Sequence, residues 1–321
     1  MRNPHRLLTL LVPTIALVAS TLLARTVQAA DPAVPTGRAP AMWGFEGHRI
    51  VCEIAWSRLD PAGRALVGSL RDTNYPTFAH SCTWADEILQ GASDHYTKQY
   101  HFINLPAGRT GIDMAQDCPA PRRCAPWAIR HYAERLANRN LSRSRRMAAL
   151  KFLGHFVGDL HQPLHAGHPA VPGMPGNDRG GNWVRVALNG SFTNLHSAWD
   201  TGLVLNAGFS LAGAQALAGE VTDEQAAAWS NFDVVSWANE SYHFAETLAY
   251  ARTKPAVSAD ENFGNPKANE PGQGYNIIRE LDQAYEDDST RVIRERLQQA
   301  GVRLAHLINH AADDDLNFPS D

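Results

Sequence analysis

The chain is organised around the stretch Phe152-Leu-Gly-His155-Phe-Val-Gly-Asp159-Leu-His161-Gln-Pro163-Leu-His165, which holds three histidines and one aspartate within fourteen residues. His155 and Asp159 lie four residues apart in an apolar segment. In a helix this spacing places both side chains on one face, one turn apart. Because an imidazole and a carboxylate on a rigid element suit a zinc ion, the stretch predicts a helix that carries metal ligands.

Small residues and a proline define the surroundings of this helix. Gly154 and Gly158 keep its surface low, so that another element can approach closely. Pro163 should end the helix near Leu160 or His161, because proline cannot continue the hydrogen-bond ladder. The alternative is a buried helix whose histidines are only hydrogen-bonded. A purely structural role would be preferred for a single buried histidine. The combination of His155-x3-Asp159 with His165, ten residues after His155, favours a metal site instead.

The first thirty residues have the features of a secretory signal peptide. Arg2 and Arg6 form a basic start, Leu7 to Leu23 is apolar, and Val27-Gln-Ala-Ala30 offers small residues for cleavage. An uncleaved membrane anchor is the alternative, but a Pro-Thr pair interrupts the apolar run. We therefore expect a secreted or periplasmic protein in an oxidising compartment.

Four cysteines allow two disulfides in such a compartment. Cys118 and Cys124 flank a short Pro/Arg loop and are close enough to pair locally, which leaves Cys52 to pair with Cys82. Zinc-thiolate ligation is the alternative, although the sequence has no Cys-x2-Cys motif.

The net charge of the chain argues against one mode of nucleic-acid binding. The formal net charge is −4, and removal of the signal with its three arginines makes the mature chain about −7. An acidic protein should not follow nucleic acid along a broad basic face. If the substrate is a phosphate, bound metal must supply the positive charge.

Hydrophobic periodicity indicates a mainly α class, a single compact multi-helix domain with a small β-hairpin. We assign residues 31–42 to a linker or the rest of the leader, 43–312 to the domain and 313–321 to a flexible tail. The predicted helices are Arg49–Leu59, a short one from Pro61, one from Thr83, Trp127–Asn138, Ser142–Leu160, His196–Leu205, Thr222–Trp229, Val234–Thr253 and Tyr275–Ile308. Tyr100–Asn104 should be extended, Gly167–Asn182 a loop, and Trp183–Leu188 with Asn189-Gly190 a hairpin.

Other segments add ligands of the same kind. Asn194-Leu-His196-Ser-Ala-Trp199-Asp200 repeats the His-x3-Asp spacing. The full candidate set has five histidines and three aspartates: His48, Asp86, His101, His155, Asp159, His165, His196 and Asp200. Nitrogen and oxygen donors favour zinc, with manganese as the alternative. Eight donors are too many for one tetrahedral ion, so we expect two or three ions, an arrangement suited to displacement at phosphorus.

The order of these motifs resembles the S1/P1 family of zinc-dependent single-strand nucleases. The motifs are Trp43-Gly-Phe-Glu-Gly-His48, Trp84-Ala-Asp86, His101-Phe-Ile-Asn104, the central stretch, Gly180-Gly-Asn182 and Asn194 to Asp200. The resemblance runs from Trp43 to about Leu307. It implies the phospholipase C/P1 nuclease fold and cleavage of single-stranded DNA, RNA and 3′-nucleotides.

The resemblance further implies three Zn²⁺ ions. Their ligands would be Asp86, His101, His155 and Asp159 for the first, His165, His196 and Asp200 for the second, and His48, Asp159 and Trp43 for the third. Trp43 would bind through its amino nitrogen and carbonyl oxygen, which requires cleavage after Met42 rather than after Ala30.

The family mechanism needs no protein nucleophile. Asp86 and Asp159 would act as ligands around a metal-bound hydroxide that attacks phosphorus, and the second zinc would stabilise the O3′ leaving group. Products would carry a 5′-phosphate. A deep site would admit a splayed single strand rather than a stacked duplex.

Three residues are candidates for substrate binding. Phe102 corresponds to the family's base-stacking position, and Asn104 stands where fungal members have an aspartate. Leu89 is not a candidate itself, because it replaces a lysine of the fungal pattern. Asn182 is a candidate for substrate binding, with a simple turn role as the alternative. We expect a monomer without stable membrane association. A zinc-dependent phospholipase C and a non-enzymatic zinc protein are the other functional hypotheses.

Overall fold

A computed structural model describes residues 44–89, 95–106, 109–121, 123–168, 178–255 and 278–319. All of them belong to the second of two units into which the chain divides, Pro40–Asp321. The expected signal peptide, the linker and Trp43 lie outside the described residues.

Helices dominate the described residues, which confirms the mainly α class. They are α1 (Phe45–Arg58), α2 (Pro61–Ser69), α3 (Phe78–Ser81), α4 (Trp84–Leu89), α5 (Met114–Asp117), α6 (Ala125–Ala137), α7 (Arg143–His161), α8 (Pro163–Ala166), α9 (Leu195–Ser197), α10 (Leu203–Asn206), α11 (Ala214–Glu220), α12 (Asp223–Trp229), α13 (Val234–Phe244) and α14 (Gln283–Asp313). Lys98–His101 and Leu211–Gly213 form 3₁₀ turns, and Ala198–Gly202 and Ala245–Tyr250 are π-helical.

Helix α7 lies at the centre of the molecule. The hydroxyl of Ser142 accepts a hydrogen bond from the amide of Arg145 and caps its start. From Ala149 to His161 every residue is buried, and α7 packs against α6, α1 and α14. The helix ends at His161, directly before the Gln162-Pro163 pair, as the position of the proline predicts.

The last helix begins later than the sequence suggests. Instead of a helix from Tyr275, residues Arg279–Leu281 form a strand, and α14 starts at Gln283 and continues to Asp313. The carboxylate of Asp282 accepts a hydrogen bond from the amide of Tyr285 and caps the helix there. This cap overrides the apolar periodicity that extends upstream.

The predicted hairpin is present and belongs to a larger sheet. After the short parallel pair β1 (Leu105–Pro106) and β2 (Gly167–His168), β3 (Arg185–Leu188) pairs with β4 (Ser191–Asn194) around Asn189-Gly190. Both turn residues have positive φ, 49° and 73°, as Asn-Gly turns require. Parallel to β3 lies β6 (Arg279–Leu281), which pairs with β5 (Lys254–Pro255).

The expectation of extended chain from Tyr100 is wrong for its first two residues. Tyr100 and His101 complete the 3₁₀ turn, with the Tyr100 amide donating to the carbonyl of Thr97 at 2.8 Å. The tight turn lets Tyr100 pack against Trp127 of α6 while His101 is fully buried on the other side.

Within the described residues, no single helix is long and apolar enough to cross a membrane. The segments Leu195–Asn206 and Leu211–Glu220 meet the length and composition criteria only when they are taken together, and the chain bends by 59° between them.

Candidate metal centre

The central helix brings its two ligands together as the spacing predicts. His155 Nε2 lies 3.2 Å from Asp159 Oδ2, and both side chains are fully buried. After the proline, the first turn of α8 directs His165 back toward α7, where its Nδ1 lies 3.2 Å from Asp159 Oδ1. The end of α7 and the short helix α8 therefore supply two imidazoles and one carboxylate to the same site.

Asp159 faces histidines on both sides. Its Oδ1 lies 3.5 Å from His48 Nε2 and 3.2 Å from His165, whereas its Oδ2 lies 2.9 Å from His101 Nδ1. A carboxylate with each oxygen directed at a different set of donors can bridge two ions.

Close approach of α1 depends on a glycine of α7. A Cβ at Gly158 would lie 2.8 Å from His48 Nδ1, so a larger residue would displace that imidazole. A Cβ at Gly154 would lie 2.7 and 2.8 Å from the sulfurs of Cys82 and Cys52. The close approach expected at both glycines is therefore present: the His48 imidazole packs against Gly158, and the Cys52–Cys82 disulfide packs against Gly154.

The eight side-chain candidates form three buried groups that could hold metal ions: His48 with His155 and Asp159, Asp86 with His101 and His155, and His165 with His196 and Asp200. In each group one ligand atom of every residue lies within 4.8 Å of the others. In the third group, His196 Nε2 lies 3.2 Å from Asp200 Oδ2.

Several buried polar atoms of the cluster have no hydrogen-bond partner among the residues that the structure describes. They are both carboxylate oxygens of Asp159, one oxygen each of Asp86 and Asp200, and Nε2 of His101 and His165. Buried polar atoms without partners cost free energy, and native proteins usually satisfy them. Because these atoms are carboxylate oxygens and imidazole nitrogens directed at one another, cations between them would satisfy the whole set.

Backbone carbonyls set the orientation of three imidazoles. Nδ1 of His155 donates to the carbonyl of Cys82 at 2.8 Å, Nδ1 of His165 to that of His101 at 3.0 Å, and Nδ1 of His196 to that of Gly180 at 2.7 Å. With Nδ1 protonated, each Nε2 keeps its lone pair for a metal ion.

The electrostatics of the cluster favour positive charge. Burial alone would lower the pKa of His165, but Asp159 and Asp200 raise it to about 10. Burial alone would raise the pKa of Asp159, but the imidazoles of His155, His165 and His101 hold it well below its ordinary value. The buried carboxylates therefore attract cations, whether protons or metal ions.

Sequence reasoning missed Gln162, which is fully buried between two motif residues. Its amide nitrogen donates to Asp200 Oδ1 at 2.6 Å, and its oxygen accepts from the amide of Leu164. Gln162 therefore holds a carboxylate of the third group. Its place between His161 and Pro163, inside the central stretch, was the available signal.

The glycine pair of the Gly-Gly-Asn motif shapes the carbonyl that holds His196. Gly180 and Gly181 have φ values of 63° and 82°, and a Cβ on Gly180 would lie 2.4 Å from the carbonyl oxygen of Leu164. Asp178 accepts from the amide of Gly181 at 2.9 Å and steadies this turn. Residues 169–177 of the expected loop lie outside the described residues.

The substrate-binding candidates lie beside the ligands in sequence, and their roles stay predictions. Phe102 and Asn104 are half-buried directly after His101, and Leu89 is half-buried at the end of α4. The carboxamide of Asn182 donates to the carbonyl of Arg179 at 2.8 Å, a contact within the turn. This contact agrees with the turn role that we considered for Asn182.

Both disulfides are formed in the expected pairs. Cys52 and Cys82 join α1 to the end of α3, and Cys118 and Cys124 close a short loop before α6. Two disulfides fit an extracellular protein.

Sequence comparisons agree with the arrangement of the site. A family model described as S1/P1 Nuclease matches residues 43–313. Nuclease S1 of Aspergillus oryzae is 30% identical over 270 residues, which cover 82% of this chain and 89% of that protein. Endonuclease 2 of Arabidopsis thaliana is 29% identical over 276 residues, which cover 83% of this chain and 89% of that protein. Nuclease P1 of Penicillium citrinum is 33% identical over 163 residues, which cover 50% of this chain and 57% of that protein.

Proposed function

Because the chain belongs to the S1/P1 nuclease family, we propose that it is a secreted phosphodiesterase that uses three zinc ions. Its substrates are single-stranded DNA and RNA, which it hydrolyses to 5′-phosphorylated products, and it also removes phosphate from 3′-nucleotides. Support comes from one observation above all, the convergence of eight buried nitrogen and oxygen donors whose lone pairs face one another.

The donors divide among three ions. Asp86, His101, His155 and Asp159 hold the first ion, and His165, His196 and Asp200 hold the second. The third takes His48, the shared Asp159 and the amine of Trp43, which lies outside the described residues.

When bound, zinc supplies a nucleophile at neutral pH and stabilises the charge of the leaving oxygen. The chain itself orients the ligands, through the carbonyls of Cys82, His101 and Gly180 and through Gln162. Burial of every described ligand excludes bulk water and strengthens the interaction with a phosphate. Phe102 stacks on a base of the substrate, and Asn104 contacts its edge.

One assay tests this function. The secreted protein is incubated with single-stranded DNA, RNA, 3′-AMP and phosphatidylcholine, each with and without a chelator. We expect the first three to be hydrolysed and chelation to abolish activity, whereas hydrolysis of lipid alone would identify a phospholipase C instead. His196→Ala should lose nearly all activity, and the exposed His243→Ala serves as the matched control.

The third ion has its own test. A free amine on Trp43 requires that the mature chain begin there, so intact-mass analysis of the secreted protein should give residues 43–321. A mature chain that keeps residues 31–42 would remove this ligand and leave two ions, which zinc quantification would show.

A further inference from the structure

Arginines are concentrated in one segment of an otherwise acidic chain. Residues 123–146 contain seven arginines and a single acidic residue, Glu134, although the whole chain has a net charge of −4. The segment comprises α6, the turn after it and the start of α7. The positive charge is therefore segregated on one part of the surface.

Five residues at steps of four lie along α6 and just beyond its two ends, because Arg123 precedes the N-cap Cys124 and Arg139 follows the C-cap Asn138. They are Arg123, Trp127, His131, Arg135 and Arg139, which we call the α6 ridge. Trp127, His131 and Arg135 are inside the helix, where residues four apart lie on one face, one above the other. The first four are half-buried and Arg139 is exposed, so all five reach the surface.

Stacking orders the first part of the ridge. The guanidinium of Arg123 lies 4.8 Å from the Trp127 ring centre, and the Trp127 and His131 rings are 4.5 Å apart and nearly parallel. A stacked guanidinium keeps its N–H edge free and is preorganised to bind phosphate.

The ridge arginines have no carboxylate partner within the part of the chain that the structure describes. Arg139 donates to the carbonyl of Ala312 at 3.0 Å, a contact that leaves its charge uncompensated. By contrast, arginines of α14 are neutralised, since Arg291 pairs with Asp288 and Arg294 with Glu220. The ridge charges are therefore available to an anionic partner.

The ridge begins beside the metal centre. The amide of Ala125, the first residue of α6, donates to the carbonyl of Phe102 at 3.1 Å, and Phe102 follows the ligand His101. The Tyr100 ring lies 5.3 Å from that of Trp127. Next to Tyr100 stands Tyr96, which is 65% exposed. At 1.5 Å per residue, the helical part of the ridge, from Trp127 to Arg135, spans roughly 12 Å along α6.

We propose that the α6 ridge, together with Tyr96, extends the substrate site and holds the phosphate backbone of a single strand that leaves the metal centre. The inference rests on the proposed function and adds a second binding region to it. Arg123, Arg135 and Arg139 contact successive phosphates, and Tyr96 stacks on a base, the combination that single-strand binding surfaces use. Short substrates that occupy only the metal centre do not reach the ridge.

The test compares a long single-stranded oligonucleotide with a dinucleotide across a salt series. Arg135→Ala with Arg139→Ala removes two ridge charges, and Arg291→Ala with Arg294→Ala removes two neutralised charges as the matched control. For the oligonucleotide, the ridge variant should raise KM on the order of tenfold and reduce the slope of log KM against log salt by about 1.4, two phosphates at roughly 0.7 each. Its kcat, and both constants for the dinucleotide, should not change.

Other outcomes overturn the inference. An unchanged salt slope excludes phosphate contacts at the ridge, and an equal loss on the dinucleotide shows damage to the metal centre instead. Arg135→Lys with Arg139→Lys should keep the wild-type slope, which separates charge from folding. If the wild-type protein cleaves neither substrate, the proposed function itself fails, whereas cleavage of both with no effect of the ridge variant rejects only the ridge.

Discussion

At the scale of single residues, small structural details decide whether the ligands can meet. The imidazole of His48 fits against α7 because residue 158 has no side chain, and Asp200 is held by the amide of Gln162. Neither Gly158 nor Gln162 would bind metal itself. Both should nevertheless change metal binding when they are replaced, because they determine where the donor atoms lie.

Gly158→Ala should remove one metal ion. The new Cβ would lie 2.8 Å from His48 Nδ1, so the imidazole that we propose as a ligand of the third ion must move. Zinc quantification should show about one equivalent less per chain. Gly68→Ala is the control, since a Cβ there meets nothing within 4 Å, and it should keep all its zinc and gain about 0.5–1 kcal/mol. Full zinc content in the Gly158 variant would contradict a role for His48.

Gln162→Leu should weaken zinc binding at His165, His196 and Asp200 by about 10–100-fold, the usual effect of losing a residue that orients a ligand. Competition with a chelator measures this affinity. Gln298→Leu makes the same substitution at a buried glutamine that contacts Leu217 and Glu220 instead, and it should leave zinc affinity unchanged. Equal affinities in the two variants would reject the role of Gln162.

At the scale of elements, the disulfide between Cys52 and Cys82 ties together three parts of the site. Cys52 lies one turn after His48 in α1, and Cys82 precedes α4, which carries Asp86. The carbonyl of Cys82 also holds His155 of α7 at 2.8 Å. The bridge therefore positions ligand-bearing elements in addition to stabilising the fold.

Removal of this disulfide should cost both stability and metal. Cys52→Ala with Cys82→Ala should lose about 3 kcal/mol of unfolding free energy and release zinc at lower chelator concentrations than the wild type. Cys118→Ala with Cys124→Ala removes a bridge across a sequence separation of 6 instead of 30, so it should lose less stability and retain zinc. Urea unfolding and zinc release measure the two effects. Equal zinc retention in both variants would show that the first bridge has no role at the site.

At the scale of the whole molecule, a buried charge network fastens the end of α7 to the last helix. Arg303 of α14 donates to the ring of His161 at 2.8 Å and to Glu240 of α13 at 2.7 Å. Arg296 donates to Glu240 as well. Burial and the two arginines hold the pKa of His161 well below its ordinary value, so this imidazole is neutral and accepts a hydrogen bond. The network fixes the helix end from which the ligand pair projects.

Glu240→Gln should destabilise the protein in a pH-dependent way. Burial alone would raise the pKa of Glu240, but hydrogen bonds from Arg303 and the charge of Arg296 lower it. A carboxylate with a lowered pKa contributes its stability above its ordinary pKa and loses it as the pH falls through the lowered value. At pH 7 we expect a loss of about 1–3 kcal/mol, below the figure for a fully buried pair because the carboxylate is partly exposed.

The difference between the Glu240 variant and the wild type should begin to shrink as the pH falls below about 4, near the ordinary pKa of a carboxyl group. It should vanish below the lowered pKa of Glu240, where the wild-type side chain is also neutral. Urea unfolding at a series of pH values measures it. The exposed Glu134→Gln is the control and should show no comparable loss at neutral pH. A constant difference across the pH series would exclude the charge of Glu240 as its cause.

Local spacing was sufficient for much of the fold, and it indicated the side chains that could bind metal. Apolar periodicity and capping residues predicted α7, its end before Pro163 and the Asn-Gly hairpin, because these depend on interactions between near neighbours. The same local rules failed at Arg279–Leu281, where a strand precedes the helix that Asp282 caps, and at β5, because strands of three and two residues are too short to show a period. The expected monomeric state and the processed start of the chain remain predictions.

By itself, the sequence determined which residues can bind metal, since the identity of a donor and its spacing along a helix are local properties. Only the tertiary structure decided how the donors converge, which carbonyls orient them, and that Gln162 joins them, because these contacts link residues far apart in the chain. It also decided that the ridge arginines of this acidic protein have no carboxylate partner among the described residues. Net charge is a sum over the whole chain, whereas a phosphate responds to the charges that the fold places within a few ångströms of it.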